Sequence, residues 1–202
     1  MTSLRHNDVP PVRDGYLDAA RDCILDVGWR RTTLTEVARR AGVSRMTIYR
    51  SWSDMEQLLA DLMTREWGTV VAAAAAAASG DDQAGDAAVD RIVGSAVRAV
   101  RALRDNELFV RIVELDPELL LPYLLARRGR SQQAILDLVT EQLRAGQRHG
   151  EVRPGDPGVL ARALVLTTHG FVLSAHTMVD DDVSEADLDA ELREILTRAV
   201  RP

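Results

Sequence analysis

Residues 33 to 52 read Thr33-Leu34-Thr35-Glu36-Val37-Ala38-Arg39-Arg40-Ala41-Gly42-Val43-Ser44-Arg45-Met46-Thr47-Ile48-Tyr49-Arg50-Ser51-Trp52. Thr33-x-x-Glu36 is a capping-box pattern, in which the threonine oxygen accepts a backbone N–H and the glutamate reaches back to the cap. Gly42 stops the helix after about two turns at 3.6 residues each. Ser44 then caps a second short helix, with Val43 and Ile48 spaced as a hydrophobic staple. Neither helix is long enough to persist alone. Together, joined by a glycine-containing turn, they have the layout of a helix-turn-helix spanning Leu34 to Ser51, in which the first helix braces the second against the DNA major groove. Ala38 is small where the helices would cross, and Val37, Val43 and Ile48 can fill the space between them. The second helix, about 12 Å long at 1.5 Å per residue, is comparable to the groove's width. It presents Arg45, Met46, Thr47, Tyr49 and Arg50.

Charge agrees by distribution rather than by total. The 202-residue chain carries a net charge of −6, which taken whole disfavours a polyanionic partner. Between Gly28 and Ser53, however, six arginines (Arg30, Arg31, Arg39, Arg40, Arg45, Arg50) face one acid, Glu36, a local balance of +5 that leaves −11 for the rest. A basic island in an acidic molecule selects the face offered to nucleic acid.

Working outward, Met1 to Val12 is polar and contains Pro10 and Pro11, which reads as a flexible arm (1–12). From Asp14, Leu17, Ala20, Ile24 and Val27 mark a helix closed by Gly28, and the DNA-binding domain is assigned to 13–52. Ser53-x-x-Glu56 opens a longer helix ending in an alanine tract, and Gly80 to Asp86 reads as a loop. Further helices are expected over Ala88–Leu103, Glu107–Leu115, from Asp116-Pro117 with a course that Pro122 leaves open, over Ser131–Gln147, from an Asp156 cap with Pro157 at the first position, and from a Ser184-x-x-Asp187 cap. The fold class is therefore all-α, about nine helices, with 53–202 a helical regulatory and dimerisation domain. The single Cys23 excludes an internal disulfide, no signal-peptide pattern opens the chain, and the longest apolar run read as a candidate span is Val70 to Ala78. These features predict a soluble cytoplasmic protein with no membrane partner. Neither a metal-ligand cluster nor a phosphate-binding glycine loop or nucleophile elbow is legible, so no metal, cofactor or enzymatic role is expected.

Gly28-Trp29-Arg30-Arg31-Thr32-Thr33-Leu34-Thr35-Glu36-Val37-Ala38 and Ala41-Gly42-Val43-Ser44-Arg45-Met46-Thr47-Ile48-Tyr49-Arg50-Ser51-Trp52 closely resemble the DNA-binding signature of the TetR family. The stretch Gly146 to Pro154 resembles, less specifically, a segment that precedes the family's penultimate helix. The resemblance implies that Thr33 and Tyr49 meet backbone phosphates and that Thr35, Arg45, Met46 and Thr47 lie at or near base edges. Ser44 and Arg50 complete the DNA-binding set, and Trp52 packs behind the recognition helix. Where the family usually places a phosphate-binding lysine at the start of its fourth helix this chain has Met55, a gap that Arg50 could fill.

The same resemblance implies homodimers paired through the last two long helices, a palindromic double-stranded DNA operator, and a small-molecule effector held among the central helices. The apolar stripe of Leu188, Leu192, Ile195 and Leu196, with Leu160, Leu164 and Phe171, is the expected dimer interface. Trp67, Phe109, Arg111, Tyr123, Thr168, His169 and His176 are the candidates for the effector pocket; the two histidines, seven apart, would share one helix face. The reading is a repressor released from its operator by a ligand. A helical-bundle enzyme and a constitutive DNA-binding protein without effector stay open as alternatives at this point.

Overall fold

The computed structural model describes residues 11–78 and 87–202, so the expected arm up to Pro10 and the Gly80–Asp86 loop lie outside the described residues. Among the described residues there are ten α-helices and no strand. They are α1 Pro11–Val27, α2 Leu34–Arg40, α3 Arg45–Ser51, α4 Met55–Ala78, α5 Ala87–Arg104, α6 Glu107–Leu115, α7 Leu121–Leu125, α8 Arg130–Arg148, α9 Pro157–Ser174 and α10 Glu185–Val200. Short 3-10 turns occupy Trp29–Arg31, Pro117–Leu119 and Ala175–Thr177. The first helix starts earlier than the Asp14 expected, because proline fits a first helical turn, whose N–H groups have no intrahelical acceptor. Pro122 is accommodated in the same way at the start of α7.

The chain divides into two compact units, and not at residue 52. The first comprises residues through Thr64 together with Glu107–Arg127; the second comprises Arg65–Asn106 and Arg128–Pro202, so α4 passes from one into the other. In the first unit, Leu17, Ala20, Ile24, Leu34, Val37, Ala38, Ile48, Trp52, Leu58 and Leu62 are buried. The reason α6 belongs here is visible at its end. The Asp116 carboxylate, buried, accepts the Trp29 backbone N–H at 3.1 Å and faces Arg30 at 3.2 Å, while Arg30 also pairs with Glu118 and Arg21 with Glu107 at 3.2 Å. Gly28, with φ 82° and ψ 163°, supplies a backbone conformation beside Asp116 that a side chain would oppose.

In the second unit, Val89, Val93, Val97 and Val100 line one face of α5 and meet Leu136 and Leu143 of α8, Leu160, Ala161 and Leu164 of α9, and Leu192, Leu196 and Val200 of α10. Each of these valines and leucines contributes about 1.5–3 kcal/mol of apolar burial. This corrects the expected dimer interface: Leu160, Leu164, Leu192 and Leu196 are consumed by the chain's own core, and Phe171 packs partly buried against it. Leu188 is half-buried, and Ile195 alone of the seven is exposed. An ion cluster centred on the buried Asp189 joins α5 to α10, its carboxylate accepting from the exposed Arg101 at 2.6 Å and from Arg104 at 2.8 Å.

The Gly146–Pro154 stretch now has a physical account. Gly146 leaves room for Val152, and Arg153 donates from its backbone to Val200 O at 2.9 Å and from Nε to Ala199 O at 2.6 Å, satisfying carbonyls at the end of α10. The longest apolar segment is not the alanine tract. Pro157–Thr177, α9 with the turn that follows it, has a mean hydropathy of 1.4 and the length of a membrane span, yet only 22% of it is buried in the single chain.

Candidate nucleic-acid interface

The turn between α2 and α3 is set by backbone bonds that the sequence could only suggest. Val43 N–H donates to Ala38 O at 3.0 Å and Gly42 N–H to Arg39 O at 3.2 Å, the paired bonds of a Schellman motif, with Gly42 at φ 68°. Thr33 Oγ1 accepts from Glu36 N–H at 3.2 Å, as its cap position requires. The returning half of the box is absent, because the Glu36 carboxylate is held by Arg39 at 2.6 Å. That guanidinium also keeps the Glu36 pKa below the usual carboxylate range. Ser44 Oγ accepts from Thr47 N–H at 3.2 Å and lies 2.9 Å from Thr47 Oγ1, so α3 leaves the turn in a fixed direction. Along α4 the cap differs from expectation by one residue: Asp54, not Ser53, accepts the Gln57 N–H, at 2.8 Å.

Behind α3, Ile48 is buried and Trp52 is enclosed. Its Nε1–H donates to Asp61 at 2.8 Å, the Arg13 guanidinium lies 4.8 Å above the ring, and Tyr16 meets it edge-on at 6.4 Å. The recognition helix is thereby clamped between α1 and α4, and Trp52 has the structural role anticipated. Outward, Thr33, Thr35, Ser44, Arg45 and Arg50 are exposed, Thr47 is half-buried, Met46 is 66% exposed and Tyr49 43% exposed. Met55 opens α4 half-buried.

The basic island is divided. Arg30 is held by Glu118 and Asp116, Arg39 by Glu36 and Arg40 by Asp26, while among the described residues no carboxylate pairs with Arg31, Arg45 or Arg50. Two of these three free cations, Arg45 and Arg50, lie on α3 itself, on the helix that carries Tyr49 and begins at the Ser44 cap. Those types in that place suit a phosphate backbone met by Tyr, Thr and Arg and base edges met by Arg, Met and Thr.

The seven pocket candidates fare differently. In the first unit, Phe109 is core, Tyr123 lies 5.1 Å beneath the Arg127 guanidinium, and Arg111 is half-buried. In the second, Trp67 is half-buried, and the Thr168 hydroxyl is taken by Val165 O at 2.8 Å. His169 is half-buried, and burial pushes its pKa below the ordinary value. His176 is exposed on a 3-10 turn beyond the end of α9, so the two histidines do not share a helix face. None of the seven lines the groove that the second unit does hold, formed by α4 and α5 with Thr69, Ala73, Arg98 and Asp105 among its walls. The signal that could have found it is the Gly94–Arg98 spacing, which puts a glycine under an arginine on one helix face.

The pattern of bacterial regulatory proteins of the tetR family matches residues 17–62. An uncharacterized HTH-type transcriptional regulator of Mycobacterium tuberculosis is 36% identical over 190 residues, 94% of this chain and 95% of its own length. Among solved structures, the TetR-family transcriptional repressor QsdR of R. erythropolis superposes with a TM-score of 0.65 at 19% identity, over 95% of this chain and 96% of its own. SmeT, in a complex with triclosan, does so with a TM-score of 0.61 at 25% identity, over 96% of this chain and 93% of its own. With near-full-length kinship to a regulator of this kind and the family pattern lying on α1 to α4, the chain belongs to the TetR family of helix-turn-helix transcriptional regulators and is not an enzyme.

Proposed function

We propose that this protein is a homodimeric repressor that binds a palindromic operator through two copies of α3 and is released by a small-molecule effector. The observation that carries the DNA-binding part is the outer face of α3: unpaired Arg45 and Arg50 stand beside a Met46 that is 66% exposed and a Tyr49 that is 43% exposed. An apolar and an aromatic side chain left in water on a helix this short fit a surface made to be covered, with Arg45 reading a base edge and Thr33 and Tyr49 on phosphates. Arg50 supplies the phosphate contact for which Met55 has no charge.

Support for a dimer comes from α9. Val159 is 63% exposed and Leu166 69% exposed, and with Ala163 and Gly170 they follow a four-three-four spacing along one face of α9. Ile195 of α10 is exposed as well. The proposed pairing surface is thus rotated by about one residue, 100° at 3.6 residues per turn, from the stripe that first suggests itself. A two-fold axis there gives paired recognition helices and a pseudo-palindromic site. The effector part is supported by the SmeT neighbour, which is described with triclosan.

A gel shift with DNA flanking the protein's own gene tests the reading. Arg45→Ala is expected to weaken binding by about 1–3 kcal/mol, the worth of a bidentate base contact, and Arg45→Ala with Tyr49→Ala to abolish the shifted band at concentrations that saturate wild type. Arg39→Ala, whose guanidinium is engaged by Glu36, should leave affinity within about twofold, a difference well under 1 kcal/mol. An undiminished band from the double variant sinks the proposal. For the dimer, Leu166→Glu should sediment as a monomer in analytical ultracentrifugation while keeping its helical circular dichroism; a dimer with wild-type affinity would place the pairing surface elsewhere.

A further inference from the structure

In the second unit, the carboxy-terminal part of α4 and the end of α5 enclose an open groove of about 490 Å³. Its α4 wall is Thr69, Val70, Ala73, Ala74 and Ala77, so apart from the threonine hydroxyl only short apolar side chains line it. The α5 side carries Arg98 and, one residue past the helix's end, Asp105; Arg101 lines the groove between them with its guanidinium on Asp189. Arg98 and Asp105 are seven residues apart, about 10 Å at 1.5 Å per residue, and both line the groove.

The two charges are not equivalent. Arg98 is half-buried: its Nε donates to Ala74 O at 3.3 Å, and its guanidinium nitrogens lie over Gly94, where an added Cβ would stand 3.2 Å away. Among the described residues no carboxylate reaches it, whereas its neighbours Arg101 and Arg104 share the buried Asp189. A guanidinium drawn partly out of water and braced by a main-chain carbonyl, with no counter-ion, is an incomplete arrangement that an incoming anion completes. Asp105 is exposed and repels a second anion at the far end of the same trough.

We infer that this groove binds an amphipathic monocarboxylate whose apolar body is about two helical turns long. Its carboxylate sits on Arg98, its body lies on the alanine wall, and its far end, beside Thr69 and Asp105, is uncharged. The binding rests on the groove alone; that such a ligand is the effector rests on the repressor reading above.

Decanoate, below its micelle concentration, is the probe, titrated into the full-length protein by isothermal calorimetry beside decanol and decanedioate. Saturable binding of decanoate is expected, at least roughly tenfold tighter than decanol, the loss that matches one charge-assisted hydrogen-bonded contact. Decanedioate should bind wild type at least about tenfold more weakly than decanoate, and Asp105→Asn should close most of that gap. Arg98→Gln should weaken decanoate about tenfold or more, and Ala73→Leu, which fills the trough without touching the charge, should do the same, each with an unchanged thermal melt. The inference is overturned by any of three results: no saturable decanoate binding, equal affinity for decanoate and decanedioate in wild type, or decanoate affinity indifferent to both variants.

A gel shift run alongside separates the two readings. Operator binding without decanoate binding removes this ligand class and leaves the repressor. Decanoate binding that leaves operator affinity unmoved upholds the groove and removes the effector role.

Discussion

Gly146 lies inside α8 with Val152 so close that a Cβ would stand 2.5 Å from its Cγ2. Gly68 lies inside α4 with nothing within 4 Å. Helix propensity favours alanine at both positions, so the surroundings decide the sign. Gly68→Ala is expected to stabilise by about 0.4–1 kcal/mol and Gly146→Ala to destabilise by about 1–3 kcal/mol, measured as urea unfolding free energies. Equal effects would show that the Gly146 contact yields freely. At this scale the sequence was readable where a residue speaks to its near neighbours: Thr33, Ser44, Asp156 and Ser184 cap the helices they were expected to cap. It was opaque where two residues compete for one partner. Arg39 takes Glu36 away from its own cap, and Asp54 displaces Ser53, because a carboxylate accepts a backbone N–H more strongly than a hydroxyl does.

Among elements, the junction of α6 with the α1–α2 turn depends on one buried carboxylate. Asp116→Ala leaves the Trp29 N–H without its acceptor and is expected to cost about 1–3 kcal/mol in urea unfolding, while Arg30→Ala, whose side chain is largely in solvent, should barely move the midpoint. If both variants unfold like wild type, water substitutes for the carboxylate and the junction is held by apolar contact alone. Nothing in the sequence joined Asp116 to Trp29, 87 residues away, and Asp116-Pro117 looked like an ordinary helix start. The helix-turn-helix was legible because its signals are local; which distant helix leans on it was not. The dimer stripe failed for a related reason. Periodicity marks an apolar face but does not say whether the chain's own helices or a second copy cover it, and in α9 both faces are apolar.

For the molecule as a whole, acid should act through His169 before the carboxylates respond. Burial holds the folded imidazole below its ordinary pKa of 6.5, so as pH falls through that value the unfolded chain takes up a proton the folded chain resists. Stability contributed by the neutral histidine is present above the unfolded value and is lost on acidification. The melting temperature should therefore fall between pH 7 and pH 5.5, and His169→Gln should flatten that fall; an identical slope would assign it to other groups. Only at lower pH do Glu118, Asp54 and Asp187 give up the stability of their depressed pKa values, held down first by Arg30, Ser53 and Ser184 respectively. Net charge, too, needed the folded arrangement to be interpreted, since three of six arginines in the basic island are occupied by the chain's own acids.

Cys23 is the chain's single cysteine, and it is buried in α1, where burial pushes its thiol pKa up. At neutral pH thiolate adds to a maleimide, so buried Cys23 is no rival of comparable reactivity when a second cysteine is installed at an exposed site such as Arg31 or Met178. The native protein is thereby its own labelling background: one spin probe or dye per copy at position 31 would act as a ruler between the DNA-binding heads of the proposed dimer, with and without a bound small molecule.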